Sequence, residues 1–260
     1  MSNSGFGLWL THHEISLTNL DLFMRRSNRL TEYNLWGDLL HLVFPNNCLV
    51  CKKELSKLEN HICSFCDLGL TKTNFQHFED PTDMDKIFWG RIKINNTYSH
   101  LFFEKTKASQ GLLFSLKYEH NFPLGVYFGK RIGAIINTIP AFSDVDAFIP
   151  VPLHPKKQFI RGYNQSEALV SGICEGVNDK IDLNSVTRIR PSETQTKKSR
   201  FDRWENVNEV FRVRKSIKKY KHIVLVDDVI TTGSTIEAVA RSIVKENPDI
   251  LVSVVTLAIA

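Results

Sequence analysis

The stretch Ile223–Thr235, IVLVDDVITTGST, constrains the fold more than any other part of this chain. Four apolar residues, Ile223–Val226, suit a strand buried on both faces. Two carboxylates, Asp227 and Asp228, stand at its carboxyl end, and Thr231-Thr232-Gly233-Ser234-Thr235 then runs straight into a helical pattern. In that helix Ile236, Val239, Ala240, Ile243 and Val244 share one face. Strand, small-residue loop and helix in this order suit a parallel α/β sheet, where ligands gather at the carboxyl ends of strands. A helix N-terminus offers unpaired N–H groups and partial positive charge, so the loop suits a phosphate dianion. Gly233 lets the backbone curl close to the anion, and the hydroxyls of Thr231, Thr232, Ser234 and Thr235 add donors. The aspartates repel phosphate; they suit ribose hydroxyls, or a magnesium ion through water. A Ser or Thr at such a loop end can also be a simple N-cap, but two acids followed by TTGST is a more specific pattern.

Upstream, the pattern points the same way. Residues 107–119 and 123–139 read as helices, with Leu124, Tyr127, Phe128, Ile132, Ile135, Ile136 and Ile139 on one face of the second. Val145–Val151 reads as a strand, Gln165–Val177 as a helix carrying a lone, buried Cys174, Ser234–Glu246 as a helix and Ile250–Ile259 as a closing strand. Residues 91–105 alternate enough to suggest a hairpin with Asn95-Asn96 near its turn. Strands alternating with helices predict a mostly parallel sheet flanked by helices over residues 91–260. Residues 76–90 are polar and acidic around Pro81 and read as a connector, and residues 1–34 form an arm without clear periodicity or helix cap. No run approaches the roughly 18 apolar residues of a membrane helix, and the N-terminus has no secretory pattern, so a cytoplasmic protein without membrane contact is expected.

Residues 35–75 hold four of the five cysteines, as Cys48-x-x-Cys51 and Cys63-x-x-Cys66 separated by eleven residues. Each CxxC turn can aim two sulfurs at one point, and two such turns complete the four-sulfur tetrahedron of structural zinc. A segment this short has little core of its own, so metal ligation would supply the missing stability. Disulfides are disfavoured in a chain with no export pattern, and a thioredoxin-like dithiol needs one pair only. An iron–sulfur cluster could use the same ligands.

The charge is uneven. From Arg188 to His222 there are twelve Lys or Arg against four Asp or Glu, an excess of eight, whereas the whole chain carries +5; the remainder is therefore −3. Such a run is either a solvated loop or a site for a polyanion. Within it, Thr194–Arg200 with Lys197, Lys198 and Arg200, followed by Arg203 and Trp204, has the makeup of a lid over a phosphate site. Further upstream, PVPLHPKKQFIRGYNQSEAL (Pro150–Leu169) places His154, Lys156, Lys157 and Arg161 in a proline-stiffened loop at a strand's end, a plausible clamp for pyrophosphate.

The segment Ile223–Thr235 resembles the signature of type I phosphoribosyltransferases, which implies 5-phosphate binding in the Thr231–Thr235 loop and ribose binding by Asp227 and Asp228. Together the segments resemble the ComF family of competence-associated proteins, with its CxxC…CxxC module, P-V-P-L-H and R-G-[FY]-N-Q segments, T-Q-x-x-x-x-R stretch and D-D-V-x-T-T-G signature. The matching residues are Cys48–Cys51 and Cys63–Cys66, Pro150–His154 and Arg161–Gln165, Thr194–Arg200, and Asp227–Gly233. The resemblance covers residues 35–260; the arm before it departs from the family pattern. It implies a type I phosphoribosyltransferase fold with a small zinc module, and a link to DNA uptake.

Two functions follow. In the first, the protein binds 5-phosphoribosyl-1-pyrophosphate with magnesium and transfers the phosphoribosyl group, with Asp227, Asp228, Lys197 and Arg200 as catalytic groups. His154, Lys156 and Arg161 would then join the Thr231–Thr235 loop in holding substrate. In the second, the same site is a non-catalytic sensor, and the protein binds single-stranded DNA or a DNA-import helicase. Lys197, Lys198, Arg200 and Arg203 beside Trp204, and Arg212, Arg214, Lys215, Lys218, Lys219 and Lys221 near Tyr220, have the mix of cations and aromatics such grooves use.

Overall fold

The computed structural model describes residues 45–104, 107–175, 180–189 and 210–260. The arm (residues 1–34) and the lid stretch with Lys197 and Arg200 lie outside them. The strands are β1 (Thr97–Phe102), β2 (Ala147–Pro150), β3 (Val186–Arg188), β4 (Phe211–Val213), β5 (His222–Ile230) and β6 (Leu251–Ile259). The described helices are α1 (Ser64–Leu68), α2 (Asp83–Lys86), α3 (Lys107–Tyr118), α4 (Phe122–Ile136), α5 (Pro155–Arg161), α6 (Gln165–Ile173) and α7 (Ser234–Glu246).

Four strands form one sheet in the order β1-β6-β5-β2, every pair parallel. Strand β5 has a neighbour on each side, and Ile223, Val224, Leu225 and Val226 are all fully buried. That is why its sequence is an unbroken apolar run rather than an alternation. Register places Pro150 of β2 beside Val226 of β5, so the loop leaving β2 starts next to Asp227. Strands β3 and β4 pair antiparallel, Val186 beside Val213 and Arg188 beside Phe211.

Residues 91–105 do not form a hairpin. One strand, β1, lies there parallel to β6, and Asn95 and Asn96 extend the pairing instead of turning: Asn95 N donates to Val252 O and Asn96 O accepts from Val254 N. The segment read as a connector carries α2, closed by a reciprocal cap in which Thr82 Oγ1 accepts from Asp85 N and Asp85 Oδ2 from Thr82 N. It buries Met84 and Phe88, so it packs as part of the core.

Helices α4 and α6 meet through glycines. A Cβ added to Gly129 would lie 2.2 Å from Leu169 O and 2.8 Å from Gly172 Cα, both backbone atoms that cannot move aside alone. Gly129→Ala should therefore force the helices apart and cost ~2 kcal/mol of stability, read as a lower urea midpoint at unchanged slope. Among the described residues no helix is long and apolar enough to cross a membrane.

Candidate functional site

The four cysteines come together. Their sulfurs all lie within 4.8 Å of one another, and Cys51 and Cys63 sulfurs are 3.7 Å apart. A tetrahedron with metal–sulfur bonds of about 2.3 Å has sulfur–sulfur edges of about 3.8 Å, so the donors fit zinc. The local backbone prepares them: Cys63 N donates to Cys48 Sγ at 3.3 Å, and Lys52, in the left-handed region at φ 62, turns the chain after the first pair. Burial by itself would raise the Cys48 thiol, but N–H groups of Cys51, Cys63 and Val50 outweigh it and hold it at about 6. Burial and the three neighbouring sulfurs push Cys66 well up. Four thiolates cannot share this point without a cation, and a dication resolves the conflict. With four sulfur ligands no position is left for water, so zinc here would have a structural role.

The loop between the two pairs is tied by Glu59, whose carboxylate accepts from Ser56 N (2.9 Å), Ser64 N (2.6 Å) and Ser64 Oγ (2.7 Å). These donors, chiefly Ser64 N, hold it at about 2. Beyond Cys66, Asp67 forms a two-pronged ion pair with Arg131 of α4 at 2.5 and 3.0 Å, and His61 packs edge-on against Tyr127. The cysteine segment is thereby fastened to the helix that carries the glycine contact.

The second constellation lies at the carboxyl end of β5. Asp227 Oδ1 accepts from Ser166 Oγ (3.1 Å) and Asp228 N (2.9 Å), and Asp228 Oδ1 accepts from Val229 N (2.7 Å). Asp228 Oδ2 faces Lys117 Nζ at 3.2 Å, an ion pair without hydrogen-bond alignment, and this buried oxygen takes no hydrogen bond. Dehydration in the cleft and the adjacent Asp228 charge raise Asp227 to about 7. Although Asp227 keeps part of its surface in solvent, the direction follows from two carboxylates side by side.

The loop after β5 turns at Gly233, φ 70, directly before α7. No side chain caps α7, so its first-turn N–H groups face the loop without a side-chain partner. Asp227, Thr231, Gly233, Ser234 and Thr235 line a cleft of about 40 Å³ in front of them. Behind the loop stands the segment after α2: a Cβ on Gly233 would come within 2.6 Å of Ile87 Cγ2 and 3.1 Å of Phe88 Cε1. Arg91 then pins the loop, its Nη1 donating to Thr232 O (2.6 Å) and Ile87 O (3.0 Å) and its Nε to Glu237 Oε2 (2.9 Å). Thr232 Oγ1 turns to Ser234 Oγ at 3.2 Å. A larger cleft of about 510 Å³, lined by residues 85 and 88–94, shares no lining residue with the cleft in front of α7.

The upstream loop is anchored beside the acids, since Val151 N donates to Val226 O (2.8 Å) and Asn164 Nδ2 to Val151 O (3.1 Å). Its basic residues are less engaged. His154 caps α5 by accepting from Lys156 N at 3.2 Å, and Arg161 donates to Gln165 Oε1 at 2.8 Å while its guanidinium lies over Tyr118. Helix α5, with Lys156, buries none of its residues. No described ion pair or hydrogen bond joins His154, Lys156 or Arg161 to the acids or the phosphate loop. The structure therefore unites Asp227, Asp228 and residues 231–235, and these three do not line the cleft in front of α7. It also adds Lys117, Ser166 and Arg91, which sequence reasoning missed. The signal for Lys117 is slight, a lysine in the last turn of a helix; Ser166 and Arg91 carry none.

The site is thus a strand, a small-residue loop and a helix with paired acids at the strand's end, and residues 184–259, which contain it, match the family described as Phosphoribosyl transferase domain. The chain carries such a domain, built on a mostly parallel sheet flanked by helices, with a cysteine cluster before it suited to zinc. It is similar to DNA utilization protein YhgH of Escherichia coli O6:H1, 35% identical over 100 residues, which is 38% of this chain and 44% of that protein. It is similar to Competence protein F of Haemophilus influenzae, 38% identical over 98 residues, 37% of this chain and 43% of that protein. Competence protein ComFC of Bacillus subtilis matches more broadly, 22% identical over 238 residues, 84% of this chain and 87% of that protein. The first two matches span less than half of those relatives' length. These homologues bear out the resemblance to the ComF family.

Proposed function

We propose that this protein binds 5-phosphoribosyl-1-pyrophosphate with magnesium and transfers the phosphoribosyl group to an acceptor. The observation that carries this reading is the paired acids beside an uncapped helix N-terminus behind a small-residue loop. The Thr231–Thr235 loop holds the 5-phosphate, and Asp227 and Asp228 orient the ribose hydroxyls. Asp228 Oδ2, buried, without a hydrogen bond and facing only the Lys117 ammonium, suits a hydrated dication, and bound magnesium would supply neutralising charge for the diphosphate. The anomeric carbon–oxygen bond breaks with its electron pair leaving on pyrophosphate, the acceptor forms the new bond to that carbon, and the acceptor's proton is lost to solvent. The protein's task is to position the reactants and neutralise charge. His154, Lys156 and Arg161, with Lys197 and Arg200 of the lid stretch, are assigned to the departing diphosphate.

The test is calorimetric titration of phosphoribosyl pyrophosphate into the full-length protein, with magnesium and then with EDTA. Saturable, metal-dependent binding that Asp227→Asn/Asp228→Asn loses is the expected result. No binding by folded, zinc-loaded protein would sink the reading. Arg91→Ala should weaken binding by about tenfold in the same experiment without changing the metal requirement, because it frees the Thr232 carbonyl rather than altering the acids.

A second reading rests on the names of the relatives, DNA utilization and competence, together with the described basic surface. Arg212, Arg214, Lys215, Lys218, Lys219 and Lys221 are exposed and near Tyr220 in the chain, and Lys219 Nζ lies 4.6 Å from its ring centre. In this reading the ribosyl site is a sensor, and the protein holds single-stranded DNA or a DNA-import helicase. Binding to single-stranded DNA that falls steeply with salt and ignores EDTA separates it from the first.

A further inference from the structure

The acid pair is met by a cation from outside its own strand, and that cation is fixed in place. Lys117 lies in the last turn of α3, next to the fully buried Leu116. Tyr163 Oη donates to Leu116 O, tying this helix end to the loop that leads into α6. From this footing Lys117 Nζ reaches Asp228 Oδ2 at 3.2 Å, with about a quarter of its side chain exposed. Arg188 of β3 lies within electrostatic reach of Asp227, so cations flank the pair from two elements. Two adjacent carboxylates are a ready site for a divalent cation. An ammonium already beside one of them opposes any cation that arrives alone. A metal that arrives bound to diphosphate meets less opposition, because its ligand brings the negative charge on which a displaced ammonium can settle.

We propose that Lys117 is the specificity-determining counter-ion of this site: it rejects free divalent metal and admits metal carried by the phosphoribosyl diphosphate. The proposal rests on the phosphoribosyl reading of the cleft. It treats Lys117 as one side of a competition for the Asp228 carboxylate, and linkage then requires metal and diphosphate to strengthen each other's binding by the same factor.

The experiment is titration of Mn²⁺ into the full-length protein, followed by the electron paramagnetic resonance of the free ion, with and without phosphoribosyl pyrophosphate. The wild type should bind Mn²⁺ weakly alone and far more tightly with the diphosphate. Lys117→Gln should tighten Mn²⁺ alone by ~10-fold or more and shrink the coupling between the two ligands by a like factor. Lys117→Arg keeps the charge and should keep the wild-type coupling, and equal melting temperatures show that the variants fold. Unchanged Mn²⁺ affinity and coupling in Lys117→Gln, beside a wild type that binds both ligands, would overturn the role of Lys117 alone. A wild type that takes up neither ligand would overturn the phosphoribosyl reading and this inference together.

Discussion

Stripping zinc from the zinc-loaded protein should lower its stability by several kcal/mol, the largest change expected from any single treatment. Structural zinc contributes on the order of 10 kcal/mol in small domains that fold only with metal, and here part of that reaches the larger core. The route is short. Cys66 precedes Asp67, Asp67 grips Arg131, and the Arg131 guanidinium lies over the Tyr127 and Phe128 rings of α4. Loss of the metal frees the sulfurs to repel one another and loosens this anchor. Thermal melts before and after chelation, with released zinc counted by a colorimetric dye, check the expectation. One zinc per chain and a large fall in melting temperature are the expected outcome, and Cys63→Ser should reproduce the fall without chelator. Visible absorption from iron and sulfide would replace zinc with a cluster at the same ligands.

Asp227→Asn should make the ligand-free protein more stable at neutral pH while removing ligand binding. Asp227 is held at about 7, first by dehydration and then by the Asp228 charge, against about 3.9 in an unfolded chain. The sign follows from proton counting. Between about pH 4 and pH 7 the folded protein keeps a proton that the unfolded chain has lost, so stability falls as pH rises through this window. Asparagine removes that slope. It still offers an oxygen to Ser166 Oγ and Asp228 N, so the local hydrogen bonds survive. The variant should match the wild type near pH 4 and exceed it by on the order of 3 kcal/mol near pH 8, in urea unfolding without ligand. An equal slope in both proteins would show that the carboxylate is well solvated. The stability given up by the wild type is that of a site shaped for a cationic or hydroxylated ligand.

Much of this was legible because it is local. The strand Ile223–Val226, its acids and the TTGST turn lie within thirteen residues, so periodicity and loop chemistry suffice to place them. The four cysteines were legible for a similar reason, since ligand spacing is itself the signal. Residues 91–105 misled because Asn-Asn between apolar stretches has the composition of a turn, while the pairing that overrides it comes from β6, far along the chain. The clamp from Arg91 to Thr232 spans 141 positions, and Ser166 meets Asp227 across 61. No residue type marks such partners in advance. His154, Lys156 and Arg161 sit between these cases: their loop is legible as basic, but the direction in which each charge points depends on local partners such as Gln165 and Tyr118.

The order β1-β6-β5-β2 also bears on how the chain is made. Strand β6 sits between β1 and β5, so the facing edges of both wait for residues 251–259. While a ribosome still holds that segment in its exit tunnel, the nascent polypeptide has two open edges and cannot close its sheet. The cysteine pairs emerge long before, and their metal can be captured first. A stall or premature stop before Leu251 would release a chain with its four cysteines in place but its strand edges unpaired, a natural target for chaperones and proteases.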